Sequence, residues 1–429
     1  MRIPSNATVV AFLIAPTIAL AISLDWAEIR ARQLNSVLVR ELGIFGYASY
    51  ELLNSISEAL WSSELLGEDL PQYQAFVRER AENTEILSVR ARKRKNIVFI
   101  QYESIDGICA ESTFQGEAVM PFFDQLSAKG LYFRNASDNT LHGRTSDGEF
   151  LVLTSLPPLR TPPIFTNHDL SKVPSLPRTL NSHGYHCISL HGFERRFWNR
   201  SEAHQALGYD QSLFLEDLNT SDLIGWGISD ESLLAQASEI IKTLPEPFFL
   251  HVILLTNHHP YDHLRSRLGH GEQPIVKDYI DSVRYVDSCI EFFFETNRDS
   301  SRLNNAIFAL FSDHDSGITQ EVRQELTFPS DSIIPDAVPM LVLGTGHQPH
   351  RYVKAAGLQD IPVIVLDDLG ISIPMTFVGN RVSSNAGNLH PSAGEQVITS
   401  ELLLSQSPPP IDLNKLTLLA INYPVELTK

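Results

Sequence analysis

Cysteine is scarce and scattered: Cys109, Cys187 and Cys289 are the three in 429 residues, and no two stand in a CxxC spacing. That pattern excludes a disulfide framework and a zinc ribbon, and leaves buried or free thiols. Basic residues are in deficit as well. With 33 Lys and Arg against 51 Asp and Glu, the formal net charge is -18. Phosphate backbones are bound by basic surfaces, so nucleic acid is excluded as a partner. The basic run from Arg90 to Lys95, RARKRK, reads as a solvated stem segment, with contact to anionic lipid headgroups as the alternative. Internal repeats, low-complexity tracts and glycine-rich phosphate loops are also lacking.

Charge is absent over residues 7–24, ATVVAFLIAPTIALAISL, which precede Asp25, Glu28, Arg30 and Arg32. This approaches the roughly twenty residues of a spanning helix. Arg2 favours a cytoplasmic start, which predicts a single-pass inner-membrane protein with the remainder extracytoplasmic; a cleaved signal peptide is the alternative. Residues 25–95 then read as a helical stem or linker. From Asn96 the chain alternates. NIVFIQYES, YHCISLHG, FFLHVILLTNHH, NAIFALFSDHD and VPMLVLG are continuous apolar runs of the kind found in strands buried on both faces. MPFFDQLSAKG, SDGEFLVLTSL, DESLLAQASEIIKTL and IVKDYIDSVRYVDSCIEFFFETN lie between them with helical patterning. Such alternation predicts a doubly wound α/β sheet over residues 96–375, with residues 376–429 a C-terminal subregion packed on it.

The stretch GRTSDGEF, residues 143–150, has two readings. Ser146 with Glu149 three residues on is a capping box, which predicts a helix start with Ser146 as the cap. A helix beginning there also aims its free N–H groups at Thr145, beside the cationic Arg144, so an anion would be stabilised at that point.

Polar residues at the strand ends favour the second reading. Glu103, His191, His258 with His259, and Asp313 with His314 close four of the apolar runs. In open α/β sheets ligands bind at the carboxyl ends of strands, so these groups are predicted to converge on one crevice. Glu103, Asp313 and His314 form a donor set suited to Mn²⁺, Mg²⁺ or Zn²⁺, with the Thr145 oxygen as a fourth ligand. A metal there would make the threonine hydroxyl a competent nucleophile.

These motifs carry a resemblance. NIVFIQYES, MPFFDQLSAKGLYFRNASDNT, HGRTSDGEF, SLHGFERRFWNR, LLTNHHPYD and FSDHDSG resemble, in order and character, the lipoteichoic acid synthase-like branch of the alkaline phosphatase and sulfatase superfamily. The resemblance implies that fold, with Thr145 as nucleophile and Glu103, Thr145, Asp313 and His314 around one manganese ion. It implies a glycerol-phosphate pocket of His191, Trp198, Arg200 and His258, with Arg144 as a further substrate contact. Arg200 offers a fork matching phosphate oxygens, Trp198 a flat apolar wall, and His258 a proton for the leaving group. The implied activity is transfer of glycerol phosphate from a phosphatidylglycerol-like donor at the membrane to an extracytoplasmic glycan or lipid-linked acceptor, through a phospho-threonine. A phosphodiesterase or phosphatase-type hydrolase, a phosphoethanolamine transferase and a non-catalytic glycan-binding domain are the alternatives. Phe193 departs from the branch, which has a polar residue after HisGly. The sulfatase nucleophile motif, a cysteine or serine followed by proline and arginine, is absent, which argues against sulfate-ester hydrolysis.

Overall fold

The structure is a computed structural model that describes residues 94–382 apart from 142, 160–162 and 330–332, with short pieces at 71, 73–75, 390–391 and 397–398, and the helix Leu413–Asn422. The apolar segment 7–24 and most of the stem lie outside the described residues. No helix among the described residues is long and apolar enough to cross a membrane. Lys95, last of the basic run, is tied down rather than solvated: its ammonium lies 2.8 Å from the Asp368 carboxylate and 2.7 Å from the Gly344 carbonyl.

Four of the apolar runs form adjacent parallel strands. Ile97–Tyr102 (β1) is buried along its whole length, because it pairs in parallel with strands on both sides. With Leu131–Ser137 (β2) as the next strand of this sheet in sequence, its neighbours are Phe248–Ile253 (β5) and Ile307–Ser312 (β6). His186–His191 (β3) pairs in parallel with β5 and with the short Gln211–Leu213 (β4). Beyond β6 the direction changes. Met340–Leu343 (β8) runs antiparallel to β6; β8 and Ala337–Val338 (β7) both pair antiparallel with β2, which pairs in parallel with His350–Gly357 (β9). The sheet is therefore mixed. The doubly wound expectation holds for the parallel half alone, and VPMLVLG is a returning antiparallel strand.

Helices form where the apolar patterning places them, at Pro121–Ser127 (α1), Thr145–Thr154 (α2), Asp230–Ile241 (α4) and Ile275–Thr296 (α5), and also at Arg200–Leu207 (α3), which the patterning did not mark. α5 buries Tyr279, Ile280, Val283, Val286, Ile290 and Phe293 along one stripe. At about 1.5–3 kcal/mol for each large apolar side chain removed from water, that stripe outweighs any propensity term. The three cysteines are buried free thiols. In the C-terminal subregion, Leu416, Leu419 and Ala420 of the helix Leu413–Asn422 are buried and Thr417 donates to the Pro157 carbonyl.

Candidate active site

Because β3, β5, β1 and β6 are adjacent and parallel, the residues that follow them gather at one edge of the sheet. Glu103, Asp313 and His314 offer ligand atoms within 4.8 Å of one another, the one such cluster among the described residues. Asp313 Oδ1 accepts from the backbone N–H groups of Ser104 and His314, while Oδ2 is buried without a hydrogen bond. A buried carboxylate oxygen left unbonded is costly unless something else satisfies it, and a cation does so. His314 Nδ1–H donates to the Asp315 carbonyl at 2.7 Å, which turns Nε2 toward Glu103 at 3.4 Å. A backbone acceptor on one ring nitrogen is how metal-ligating histidines are oriented. The donor set thus fits one divalent cation.

The electrostatics agree. Burial opposes ionisation of Glu103, but the hydrogen bond from His314, the charges of His258 and His314 and the Ser104 hydroxyl bring its carboxyl down to about 2. Burial and then the Glu103 charge push Asp313 up. His314 is raised to about 9: burial works against the cation, and the two carboxylates prevail.

Thr145 opens α2, its Oγ1 lying 3.4 Å from Glu103 Oε2 and 3.5 Å from His314 Nε2. The capping box expected at Ser146 is not formed. Ser146 donates to the Gly143 carbonyl, the preceding loop is held by Asp147, whose Oδ2 accepts from the N–H groups of Leu141 and Gly143, and Glu149 faces elsewhere. Arg144 takes a positive φ of 43° just before the helix and pairs with Asp315 at 2.9 Å. Gly148 is needed because a Cβ there would lie 2.8 Å from the Asp313 carbonyl oxygen.

Glu149 is wholly buried and bonds Arg200 through Nε at 2.9 Å and Nη2 at 2.8 Å. The fork expected to hold phosphate is therefore already taken. What remains is Nη1, buried and without a hydrogen bond. His204 Nε2 lies 2.7 Å from the second Glu149 oxygen and its Nδ1 is 2.9 Å from the Ser189 hydroxyl. Burial lowers the His204 pKa in spite of Glu149; we assign a neutral ring that donates through Nε2, a hydrogen bond rather than an ion pair. His191 lies close by. Burial, and then the charge of Arg200, bring it down to about 3, so Nδ1–H donates to the Ile253 carbonyl and Nε2 is left an acceptor.

Trp198 and Asn199, which lead into Arg200, both have left-handed backbones, at φ 55° and 53°. Asparagine tolerates that region and tryptophan is strained in it, the kind of strain that clusters at functional sites. Trp198 contacts Phe197, which meets Phe193 and Trp226. Phe193, the departure noted above, belongs to this aromatic rim. His258 lies against Trp226, while His259 is exposed and touches Tyr261. Glu149 and Trp226 are the participants that sequence reasoning missed. Glu149 stood in plain view as a capping residue, and Trp226 carried only its Gly-Trp-Gly context.

Residues 95–370 match the family described as Sulfatase. The chain belongs to the sulfatase family. Within the family its relatives are of the lipoteichoic acid synthase-like branch. Lipoteichoic acid synthase 2 of Bacillus subtilis is 26% identical over 390 residues, covering 86% of this chain. This sulfatase-family chain spans 59% of that relative's length. Among solved structures, the lipoteichoic acid synthase LtaP from Listeria monocytogenes superposes with a TM-score of 0.61 at 22% identity, over 69% of this chain and 78% of that one. The Streptococcus pyogenes phosphoglycerol transferase GacH in complex with sn-glycerol-1-phosphate does so with 0.53 at 15% identity, over 83% and 92%. At those identities the likeness is one of fold.

Proposed function

We propose that the chain is a phosphoglycerol transferase of the extracytoplasmic side of the membrane, moving glycerol phosphate from a phosphatidylglycerol-like lipid to a glycan or lipid-linked acceptor. The observation that carries this reading is the position of Thr145 Oγ1, at the first residue of a buried helix and within 3.5 Å of both Glu103 and His314. Glu103, Thr145, Asp313 and His314 would hold one divalent cation, Mn²⁺ by the family resemblance with Mg²⁺ or Zn²⁺ as alternatives; when bound it supplies positive charge to the threonine oxygen and the transferring phosphoryl group.

This chain's own residues do the rest. Thr145 Oγ attacks phosphorus as its proton leaves for solvent; the new Oγ–P bond replaces the ester bond to diacylglycerol, whose oxygen takes a proton from His258. The acceptor hydroxyl then attacks the same phosphorus and returns its proton to His258, and the bond to Thr145 breaks, its oxygen taking back a proton from solvent. The α2 N-terminus and Arg200 Nη1 stabilise the phosphoryl charge, Arg200 with one edge because Glu149 occupies the other. Neutral His191, through its free Nε2, accepts from a glycerol hydroxyl, and Trp198 walls the glycerol backbone.

Brief incubation of the full chain with Mn²⁺ and labelled phosphatidylglycerol, with and without glucan acceptors, tests this. Diacylglycerol release, a glycerol-phosphate adduct on Thr145 by peptide mass spectrometry, and product that depends on the glycan are expected. Release that ignores the glycan and yields free glycerol phosphate makes the enzyme a phosphodiesterase; a fully active Thr145→Ala protein defeats the covalent route.

A further inference from the structure

Trp226 is 41% exposed, and the fold goes to some trouble to keep it so. It sits in a two-residue turn between Leu223–Ile224 and Gly227–Ile228, which pair antiparallel. Gly225, at φ +60°, fills the first turn position, where the left-handed region calls for glycine, and a Cβ there would also meet the His263 ring at 2.6 Å. Gly227 lies so close to the loop after β3 that a Cβ would be 2.1 Å from the Gly192 carbonyl oxygen, and the Ile228 N–H donates to that same oxygen at 2.9 Å. The hairpin is thereby locked to the loop that follows His191, with the indole at its tip.

The indole packs against His258 in a tilted contact: the ring centroids are 4.0 Å apart and the planes differ by 36°. His258 Nδ1–H donates to the His259 carbonyl at 2.8 Å, and Nε2 has no hydrogen bond among the described residues. A hydrogen bond at one nitrogen still lets the ring swing about that bond; a flat partner removes the remaining freedom. We propose that Trp226 is a positioning residue for His258, fixing the imidazole plane so that Nε2 is the nitrogen presented for proton transfer. This rests on the role given to His258 above. Misplacement of a catalytic group by about 1 Å costs on the order of 100-fold in rate, so the contact matters to turnover more than to binding. A packing role alone predicts the reverse: Trp226 also meets Phe193 and Phe197 at 5.7 and 6.1 Å, and losing those contacts would lower stability and spare turnover.

The test uses the full chain, as Trp226→Ala and Trp226→Phe. Two readouts are taken: kcat and KM with phosphatidylglycerol and Mn²⁺, and, with diamagnetic Mg²⁺ in place of Mn²⁺ so that nearby signals are not broadened away, the histidine ring-proton NMR signals of isotope-labelled protein, the His258 signal being identified by its loss in His258→Gln. Expected for Trp226→Ala are a fall in kcat of about 10- to 100-fold with KM within about twofold, loss of the indole ring-current shift on His258, and recovery of most of the rate in Trp226→Phe. Wild-type kcat in Trp226→Ala, or a His258 signal that does not move, overturns the proposal. A wild-type protein without turnover, in which Trp226→Ala still moves the His258 signal, defeats the reading of the reaction and leaves the Trp226–His258 contact standing.

Discussion

Glu149 is gripped by a guanidinium on one side and an imidazole on the other, with no exposed surface. Removing its charge leaves Arg200 buried and unpaired, which costs about 3–5 kcal/mol for a buried ion pair broken on one side. Glu149→Gln is therefore expected to lower the melting temperature markedly at neutral pH. The pH dependence has a definite sign. Burial opposes ionisation, but Arg200 and then His204 hold the carboxyl well below its usual range. A carboxyl depressed in the folded state stabilises fully above its unfolded pKa of about 4.3 and loses that contribution as pH falls toward the folded value. The gap in melting temperature between wild type and Glu149→Gln should shrink from pH 5 to pH 3; a constant gap would show that the charge is not what is lost. Activity should fall with it, because an Arg200 freed from Glu149 no longer offers a fixed Nη1 edge.

At the scale of elements, α2 carries two demands that meet at Gly148. Gly→Ala inside an ordinary helix gains up to about 1 kcal/mol of propensity. Here the added methyl would lie 2.8 Å from the Asp313 carbonyl oxygen and 2.9 Å from its Cβ, and overpacking of that kind costs about 1–3 kcal/mol. The clash decides the sign: Gly148→Ala should lower the melting temperature and weaken Mn²⁺ binding together, and calorimetry with metal titration checks both. Elements that obey a single period were readable in advance. β1, β3, β5 and β6 are predominantly apolar because strands flank them on both sides, and α5 has its stripe. β2 was hidden, since LYFRNAS places a charge mid-strand; in the fold Arg134 is buried and bonded to the Gly107 and Ala110 carbonyls. The antiparallel return through β8 was hidden too, because a buried strand looks alike in either direction. For the site, the types and order of Glu103, Thr145, Asp313 and His314 suggested a metal-binding group, and the fold does gather Glu103, Asp313 and His314 within 4.8 Å with the Thr145 hydroxyl beside them. Partners separated by tens of residues, such as Glu149 with Arg200 and Trp226 with His258, had no local pattern to announce them.

For the whole molecule, a cation that binds only the folded chain adds stability by mass action, about 2.7 kcal/mol at a hundred times its dissociation constant. One Mn²⁺ per chain and a melting temperature raised by several degrees are expected; Asp313→Ala should abolish both, and a second tight ion by elemental analysis would contradict the single-site assignment. Affinity must also climb with pH. His314 is held protonated up to about 9 by its carboxylate neighbours, against its burial, and a ligand has to shed that proton. Between pH 6 and 8.5 the binding constant should rise by roughly tenfold per unit from this residue alone; calorimetry in buffers of different ionisation heat would count the proton released. A flat profile would mean that His314 is not a ligand.

Thr145 and Glu149 stand four residues apart on a helix that is buried along its whole length, a separation of about one 5.4 Å turn. In the proposed reaction, the attacking atom and the residue that aims the anion-holding edge of Arg200 thus belong to one rigid part, with no hinge between them. α2 acts as a ruler. On the proposed mechanism it would admit esters whose phosphorus and charged oxygens match one fixed span, and diversity among substrates would have to come from what lies beyond that span, at the aromatic rim. An alanine inserted after Gly148 would leave every side chain chemically intact and rotate Glu149 by about 100°, and turnover should vanish for want of register alone.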